Sequence, residues 1–210
     1  DLMPSPPTLD RQLAHMPKTA AGTGASVLNA YPLMNSEAVY DGQRAAAPNQ
    51  RVFILTRSGF AGQQRYAAAS WSGDISSSWT AMKKQIAAGL GYSISGLPYW
   101  TMDTGGFSVP GKWSGRNVSP QNLDEWRELN ARWFEFATFV PLLRVHGEAP
   151  PREMWRLGGD DSPPSPCYAA ELKFDRLRYR LLPYIYSLAG DVTQHGGTFM
   201  RPLVMDFPDD

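Results

Sequence analysis

Helical and strand-like patterns of hydrophobic and polar residues alternate along this chain. Apolar residues at steps of three and four are typical of helices, and short apolar runs between them are typical of strands buried on both faces. The predicted helices span residues 31–46, 76–90, 120–137 and 169–189, and the predicted strands span residues 51–57, 67–71, 94–102 and 139–145. This order predicts a parallel sheet covered by helices.

Individual residues mark where some of these helices start, end or bend. Ser119 is the predicted N-cap of the third helix because Pro120, which favours the first helical position, follows it. Gly91 is predicted to end the second helix, and Pro183 to kink the fourth. The apolar faces of the second and third helices, predicted to lie in the core, are Trp79, Met82, Ile86 and Leu90, and Leu123, Trp126, Leu129, Trp133, Phe136 and Ala137.

The alternation predicts an α/β fold, a partial (β/α)8 TIM barrel containing about its last four strands with their helices. A complete barrel of this type takes roughly 250 residues, so 210 residues with four strands correspond to about half of one. The alternative is a doubly wound open sheet. A strand followed by the Gly-x-Gly-x-x-Gly turn of dinucleotide-binding sheets is absent from the sequence, which favours the barrel.

The two ends of the sequence indicate a piece of a longer protein. Residues 1–26 are rich in proline and polar residues and are predicted to form a lead-in loop with one short helix over residues 8–16. The chain starts at Asp1 and ends in Pro-Asp-Asp, so we expect residues 1–210 to be the carboxyl-terminal half of a barrel, truncated at both ends. Half a barrel would leave sheet edges and apolar helix faces uncovered.

Composition and charge exclude several classes of function. With 20 basic and 20 acidic residues the formal net charge is zero, which argues against binding to nucleic acid. The sequence has no run near the ~18 apolar residues of a membrane span. One cysteine, Cys167, cannot form an internal disulfide and is predicted to be structural. His15 and His195 fall in polar loop or helix-end settings and are assigned no chemistry. Three scattered histidines do not supply a metal site.

Charged and aromatic residues follow each predicted strand. In a barrel, side chains just past the carboxyl ends of strands point into the catalytic mouth. This rule selects Arg57, Trp71, Asp74, Asp103, Phe107, Arg144 and His146. A set of carboxylates, cations and aromatic rings suits a sugar, because rings stack on C–H surfaces, charged groups bind hydroxyls and a carboxyl group can protonate a glycosidic oxygen.

Each of these polar residues also has a structural interpretation. Asp74 could be the N-cap of the following helix, and Asp103 could be a turn residue. Arg57 could neutralise a buried acid, and His146 could be an ordinary structural histidine.

Several long motifs resemble glycoside hydrolase family 31, the retaining α-glucosidase and α-xylosidase family. They are RVFILTRSGFAGQQRYAAASWSGD at 51–74, SGLPYWTMDTGGF at 95–107, FVPLLRVHG at 139–147, LRYRLLPYIYSLA at 177–189 and MRPLVMDFPDD at 200–210. The resemblance begins near Tyr31, and YPLMNSEAVYDGQRAA with GFAGQQRYAAASWSGD is most similar to bacterial α-xylosidases acting on xyloglucan-type oligosaccharides. The stretch VPGKWSGRNVSPQNLDE departs from the family pattern and could alter the acceptor subsites.

The resemblance implies a role for each residue. Asp74 takes the position of the general acid/base. The family's sugar-binding positions are taken here by Arg57, Trp71, Asp103, Phe107 and His146. The family's nucleophile lies in a W-x-D-x-x-E-P segment that this sequence lacks, so we expect the isolated chain to be catalytically silent.

The implied function is cleavage of terminal α-linked xylose or glucose from an oligosaccharide by double displacement, without metal or organic cofactor. The alternatives are an α-glucosidase and a non-catalytic carbohydrate-binding or scaffold module. Neither nucleic acid nor membrane is an expected partner, and the sequence does not predict an oligomeric state. A bacterial cytoplasmic or periplasmic location would fit equally.

Overall fold

The computed structural model describes residues 9–209, apart from the side chains of Leu9 and Gln12. Residues 1–8, part of the predicted lead-in loop, lie outside the described residues. The chain divides into two compact units, with the boundary between Ser70 and Trp71.

From residue 9 onward, the first unit contains three α-helices and two short strands. They are α1 (Leu9–His15), α2 (Gly24–Val27), α3 (Tyr31–Ala46), β1 (Ile54–Thr56) and β2 (Ala68–Trp71), the last of which crosses the unit boundary. The bounds of α3 are those that the sequence predicts, and α1 lies within the predicted short helix. Helix α2 was not predicted from the sequence; Thr23 caps it by accepting a hydrogen bond from Ser26 N.

Strands β1 and β2 are parallel, with Ile54 opposite Ala68 and Thr56 opposite Ser70. A buried glutamine supports the connection between them, since Gln63 donates from Nε2 to the Ser58 carbonyl at 2.9 Å. The prediction that β1 is buried on both faces was wrong, because Phe53 before the strand is 62% exposed and Leu55 within it is 38% exposed. The uncovered apolar surface expected of a partial barrel is present here.

The described part of the second unit, residues 71–209, contains four α-helices and the third strand. They are α4 (Trp79–Ile94), β3 (Trp100–Thr101), α5 (Gly111–Ser114), α6 (Pro120–Ala137) and α7 (Pro166–His195). Serine caps the three long helices: the hydroxyls of Ser78, Ser119 and Ser165 each accept a hydrogen bond from the backbone N–H three residues later. The start of α6, with Ser119 as N-cap and Pro120 next, is confirmed.

The core of this unit is built largely on α6. Trp126, Leu129 and Trp133 from α6 are at most 2% exposed, as predicted. The indole Nε1 of Trp133 donates to Met102 Sδ at 3.1 Å, which ties α6 to the end of β3. Around them lie further buried residues: Trp100, Val109, Trp113, Ala137, Val140, Leu157 and Cys167.

The buried face of α4 differs from the predicted one. Trp79 and Ile86 are 43% and 40% exposed, whereas Gln85, Gly89 and Ser93 are buried. A Cβ on Gly89 would lie 2.8 Å from the Trp100 ring, so the helix packs on β3 through its small residues. Close approach of the backbone to a tryptophan therefore decides the orientation of α4.

Helix α4 also continues past its predicted end, and the third strand is correspondingly short. Gly91 lies inside the helix, which ends where Gly96 takes a left-handed conformation (φ +76°) and Leu97 N donates to the Tyr92 carbonyl at 3.1 Å. The predicted strand at 94–102 is reduced to Trp100–Thr101.

The fourth predicted strand, residues 139–145, was wrong. Pro141 has no N–H to give to a ladder, and Arg178 of α7 binds the carbonyls of Thr138, Val140 and Pro141 at 2.7–2.9 Å. Only Val145, at the end of the segment, forms an isolated parallel bridge, with Thr104. Side-chain donors have taken the place of a neighbouring strand.

Helix α7 is longer than its predicted span of 169–189 and runs through Pro183. The predicted kink at Pro183 stays a prediction. Across residues 9–209, none of the helices is both long and apolar enough to cross a membrane.

Candidate active site

Backbone hydrogen bonds hold the loop after β2 against the loop after β3. The N–H groups of Phe107 and Ser108 both donate to the Ile75 carbonyl, at 2.7 and 3.1 Å. In return, Ser77 N donates to the Ser108 carbonyl at 2.9 Å. The residue after Asp74 is therefore bound directly to the loop that carries Asp103.

A third segment, residues 142–152, closes on the other side of the β3 loop. Thr104 N donates to the Arg144 carbonyl at 3.3 Å, and Glu148 N donates to the Phe107 carbonyl at 3.1 Å. The Glu148 carboxylate also accepts the N–H of Val109 at 2.9 Å. Three loops thus converge in the second unit, and they carry most of the polar residues that the sequence singled out.

Asp74 lies at the centre of a three-residue turn. Ile75 N donates to the Gly73 carbonyl at 2.9 Å, and Gly73 has the left-handed φ of +78° that favours glycine. The side chain of Asp74 is half-buried. Its interpretation as a helix cap was wrong, because Ser78 caps α4 by accepting a hydrogen bond from Ala81 N at 3.1 Å.

Asp103 is a fully buried carboxylate paired with an arginine. Its exposed fraction is 0%, Oδ1 forms an ion pair with Arg144, and Oδ2 has no hydrogen-bond partner among the described residues. Burial raises the pKa of Asp103 above its usual range, while the charges of Arg144 and His146 oppose that rise. Repulsion from Asp74 adds to it, so the two carboxylates lie close enough to interact.

Aromatic rings stand beside these carboxylates. The Arg144 guanidinium lies 5.8 Å from the centroid of the half-buried Trp71 ring. The rings of Phe107 and His146 are 5.8 Å apart and inclined by 33°. Flat apolar faces next to fixed charges can bind the C–H surfaces and hydroxyls of one sugar ring.

The two carboxylates stand in different environments, and this suits different tasks. Asp103 is enclosed and held by Arg144, which suits a fixed hydrogen-bond acceptor. Asp74 is half-buried at the tip of a turn, where it can exchange a proton with a bound molecule. The arrangement is capable of proton transfer to a ligand that the remaining side chains hold.

Five of the six predicted site residues belong to the second unit and are brought together there. They are Trp71, Asp74, Asp103, Phe107 and His146. Arg57 belongs to the first unit, where it follows β1 and is exposed. The adjacent Ser58 carbonyl accepts the Ser70 hydroxyl at 3.0 Å, so the end of β1 is bound to β2.

The strand-end rule selected Arg144 from sequence, but not its pairing with Asp103. Two further contributors to this arrangement were not selected. Glu148 and Arg152 carried no signal, since they lie in a proline-rich stretch whose pattern predicts only a loop.

The single cysteine of the sequence lies outside the candidate site. Cys167 near the start of α7 is buried and donates to the Arg127 carbonyl at 3.0 Å, and burial raises the pKa of its thiol to about 12. A thiol held protonated in this way is a structural group, as predicted. Within residues 9–209, histidine, cysteine and carboxylate side chains form no cluster of three that could hold a metal ion.

Comparison with known proteins gives one family. A family model described as glycosyl hydrolases family 31 TIM-barrel domain matches residues 3–188. An α-xylosidase of Saccharolobus solfataricus is 53% identical over 189 residues, covering 90% of this chain and 24% of that protein. An α-glucosidase of the same organism is 39% identical over 188 residues, covering 88% and 24%. The crystal structure of an α-xylosidase from Xanthomonas citri matches with a TM-score of 0.90 at 47% identity, covering 97% and 21%.

These matches confirm the predicted fold class, part of a (β/α)8 barrel, and exclude the doubly wound alternative. The chain spans about a quarter of the length of the curated relatives it matches.

Proposed function

This chain belongs to glycosyl hydrolase family 31, and on that premise we propose that it carries the acid/base side of the catalytic centre of a retaining α-glycosidase. We further propose that the 210 residues are a segment of a longer polypeptide, called the parent enzyme below. Asp74 is its general acid/base. The observation that carries this proposal is the convergence of Asp74 with the buried Asp103–Arg144 pair and the rings of Trp71, Phe107 and His146.

The reaction proceeds by double displacement. A carboxylate elsewhere in the parent enzyme attacks the anomeric carbon, and Asp74 gives its proton to the departing glycosidic oxygen. Asp74, now ionised, then takes a proton from water as the water oxygen displaces the enzyme carboxylate from the anomeric carbon. In retaining pairs the two carboxyl groups stand roughly 5–5.5 Å apart, so the nucleophile faces Asp74 across the sugar.

The other side chains bind the sugar rather than react with it. Asp103, which is fully buried, contributes by fixing the partly exposed Arg144 guanidinium at the site, and His146 bonds a sugar hydroxyl. Trp71 and Phe107 present apolar ring faces to the C–H side of the sugar. Arg57 belongs to this binding set through its match to the family's motif.

The preferred substrate is an oligosaccharide with a terminal α-linked xylose. Support comes from the α-xylosidase relative at 53% identity, compared with 39% for the α-glucosidase. Terminal α-linked glucose is the second choice.

Asp74→Asn in the parent enzyme tests the catalytic role through its dependence on the leaving group. Isoprimeverose needs a proton on its departing sugar oxygen, so its kcat/KM falls by about 100-fold or more. 4-Nitrophenyl α-xyloside has a leaving group that departs without protonation, so its kcat/KM falls by less than about tenfold. Both values come from initial rates.

Asp160→Asn is the matched control, because Asp160 is an exposed carboxylate of the same unit. It leaves both rates unchanged. An equal loss on the two substrates in Asp74→Asn would contradict the assignment of Asp74.

A further inference from the structure

One buried arginine beside the candidate site has no part in the chemistry described above. Arg152 is 6% exposed, and its guanidinium donates to backbone carbonyls only a few residues from the proposed sugar contacts. Nη1 donates to the carbonyls of Gly106, Thr104 (3.4 Å) and His146 (3.1 Å). Nη2 donates to the carbonyl of Glu148 at 3.1 Å.

These four carbonyls belong to two different loops. Two lie between Asp103 and Phe107, and the other two belong to His146 and to the residue two positions after it. One planar side chain therefore joins the loop that carries Asp103 and Phe107 to the loop that carries His146. A guanidinium suits this task because its donors point in fixed directions within one plane.

The surroundings of Arg152 are shaped to its guanidinium. A Cβ on Gly105, which has a φ of +92°, would lie 2.9 Å from Nη1, and a Cβ on Gly147 would overlap the guanidinium itself. On another side the guanidinium carbon lies 5.3 Å from the centroid of the buried Trp126 ring. Both loops thus place a glycine where a side chain would displace Arg152, and α6 supplies a rigid wall.

The charge of Arg152 persists at neutral pH. Burial lowers its pKa to about 10, while the carboxylates of Asp103 and Glu148 act in the opposite direction. Four accepting carbonyls and two nearby carboxylates compensate for a buried cation.

We propose that Arg152 is the positioning residue of the sugar-binding site, holding the loops of Asp103, Phe107 and His146 at the separation that the transition state requires. This inference rests on the proposed function. Arg152 acts through these three side chains and not on the glycosidic oxygen, so its loss has a different kinetic signature from the loss of Asp74.

The test uses Arg152→Met and Arg152→Lys in the parent enzyme, with isoprimeverose and 4-nitrophenyl α-xyloside as substrates. Small displacements of positioned groups can cost on the order of 100-fold in rate, and we expect a loss of about that size in kcat/KM for Arg152→Met. The loss is the same on both substrates, because sugar contacts do not depend on the leaving group. Arg152→Lys keeps the charge and part of the bonding, so it recovers part of the activity.

Arg156→Met is the matched control, since Arg156 is an exposed arginine four residues further along the chain. It leaves both rates unchanged. Rates for Arg152→Met within about threefold of the unmodified enzyme would overturn the proposal. So would a loss that depends on the leaving group, or a lysine variant no better than the methionine variant.

If the Arg152 variants do not fold, Gly147→Ala takes their place, because it keeps the arginine and displaces its guanidinium. Unchanged activity of Gly147→Ala would then overturn the proposal, and a loss equal on both substrates would support it. Failure of the proposed function is detected separately: Asp74→Asn would then lose equal activity on the two substrates, independently of the results for the Arg152 variants.

Discussion

At the scale of single residues, the site depends on an ion pair between a buried carboxylate, Asp103, and a partly exposed arginine, Arg144. Asp103 is fully buried, and the Arg144 side chain that pairs with it is 26% exposed. The strand-end rule and the family motifs predicted Asp74, Asp103 and the aromatic residues from sequence. The strand-end rule also selected Arg144, but neither its pairing with Asp103 nor any role for Arg152 was predicted. Bonds from a guanidinium to a carboxylate or to loop carbonyls depend on tertiary structure and leave no periodic pattern.

Arg144→Met should therefore be strongly destabilising. It leaves the Asp103 carboxylate buried without its partner, and removing one member of a buried pair typically costs about 3–5 kcal/mol of unfolding free energy. Adding Asp103→Asn removes the unpaired charge and restores much of that stability. Urea unfolding of the two variants and the unmodified protein measures both effects. A cost below about 1 kcal/mol for Arg144→Met would contradict the importance of the pair.

At the scale of elements, boundaries with a local sequence signal could be predicted and boundaries set by long-range contacts could not. Serine followed by proline at the start of α6 is a local signal, and the structure agrees with it. The continuation of α4 through Gly91 and the loss of the strand at 139–145 depend on a tryptophan packed on Gly89 and on Arg178 reaching across from α7. Such long-range contacts lie outside any sequence window.

A buried acid in α7, Glu171, is predicted to make the stability of the fold depend on pH. Burial raises the pKa of Glu171 from 4.5 to about 8, and Glu171 is 2% exposed. Between those values the folded protein binds one more proton than the unfolded chain, so this residue lowers stability progressively as pH rises from about 4.5 to about 8. Below that window the neutral acid carries no such penalty.

Glu171→Gln should remove this dependence. Relative to the unmodified chain, the variant gains unfolding free energy as pH rises from about 5 to about 8, by an amount on the order of a few kcal/mol at most. Urea unfolding at several pH values gives the difference. Glu128→Gln, an exposed acid on α6, is the control and shows no such trend. A difference that stays flat with pH would show that Glu171 is ionised throughout.

At the scale of the whole molecule, large apolar side chains remain uncovered. Tyr179 and Tyr186 of α7 are 68% and 75% exposed, and Leu203 is 76% exposed. Together with the quarter-length match to its relatives, this surface supports the proposal that the chain acts as a segment of a longer enzyme. The sequence predicted such surface from the partial barrel, and the expectation that the isolated chain is catalytically silent stays a prediction.

The central claim is that Asp74 is the acid/base of a retaining α-glycosidase, and azide tests it most directly. In the Asp74→Ala parent enzyme, 4-nitrophenyl α-xyloside forms the glycosyl-enzyme intermediate, and azide can attack it without a general base. The account predicts that azide restores turnover and that NMR identifies the product as α-xylosyl azide, with retained configuration. Formation of β-xylosyl azide, or no restoration of turnover, would contradict it.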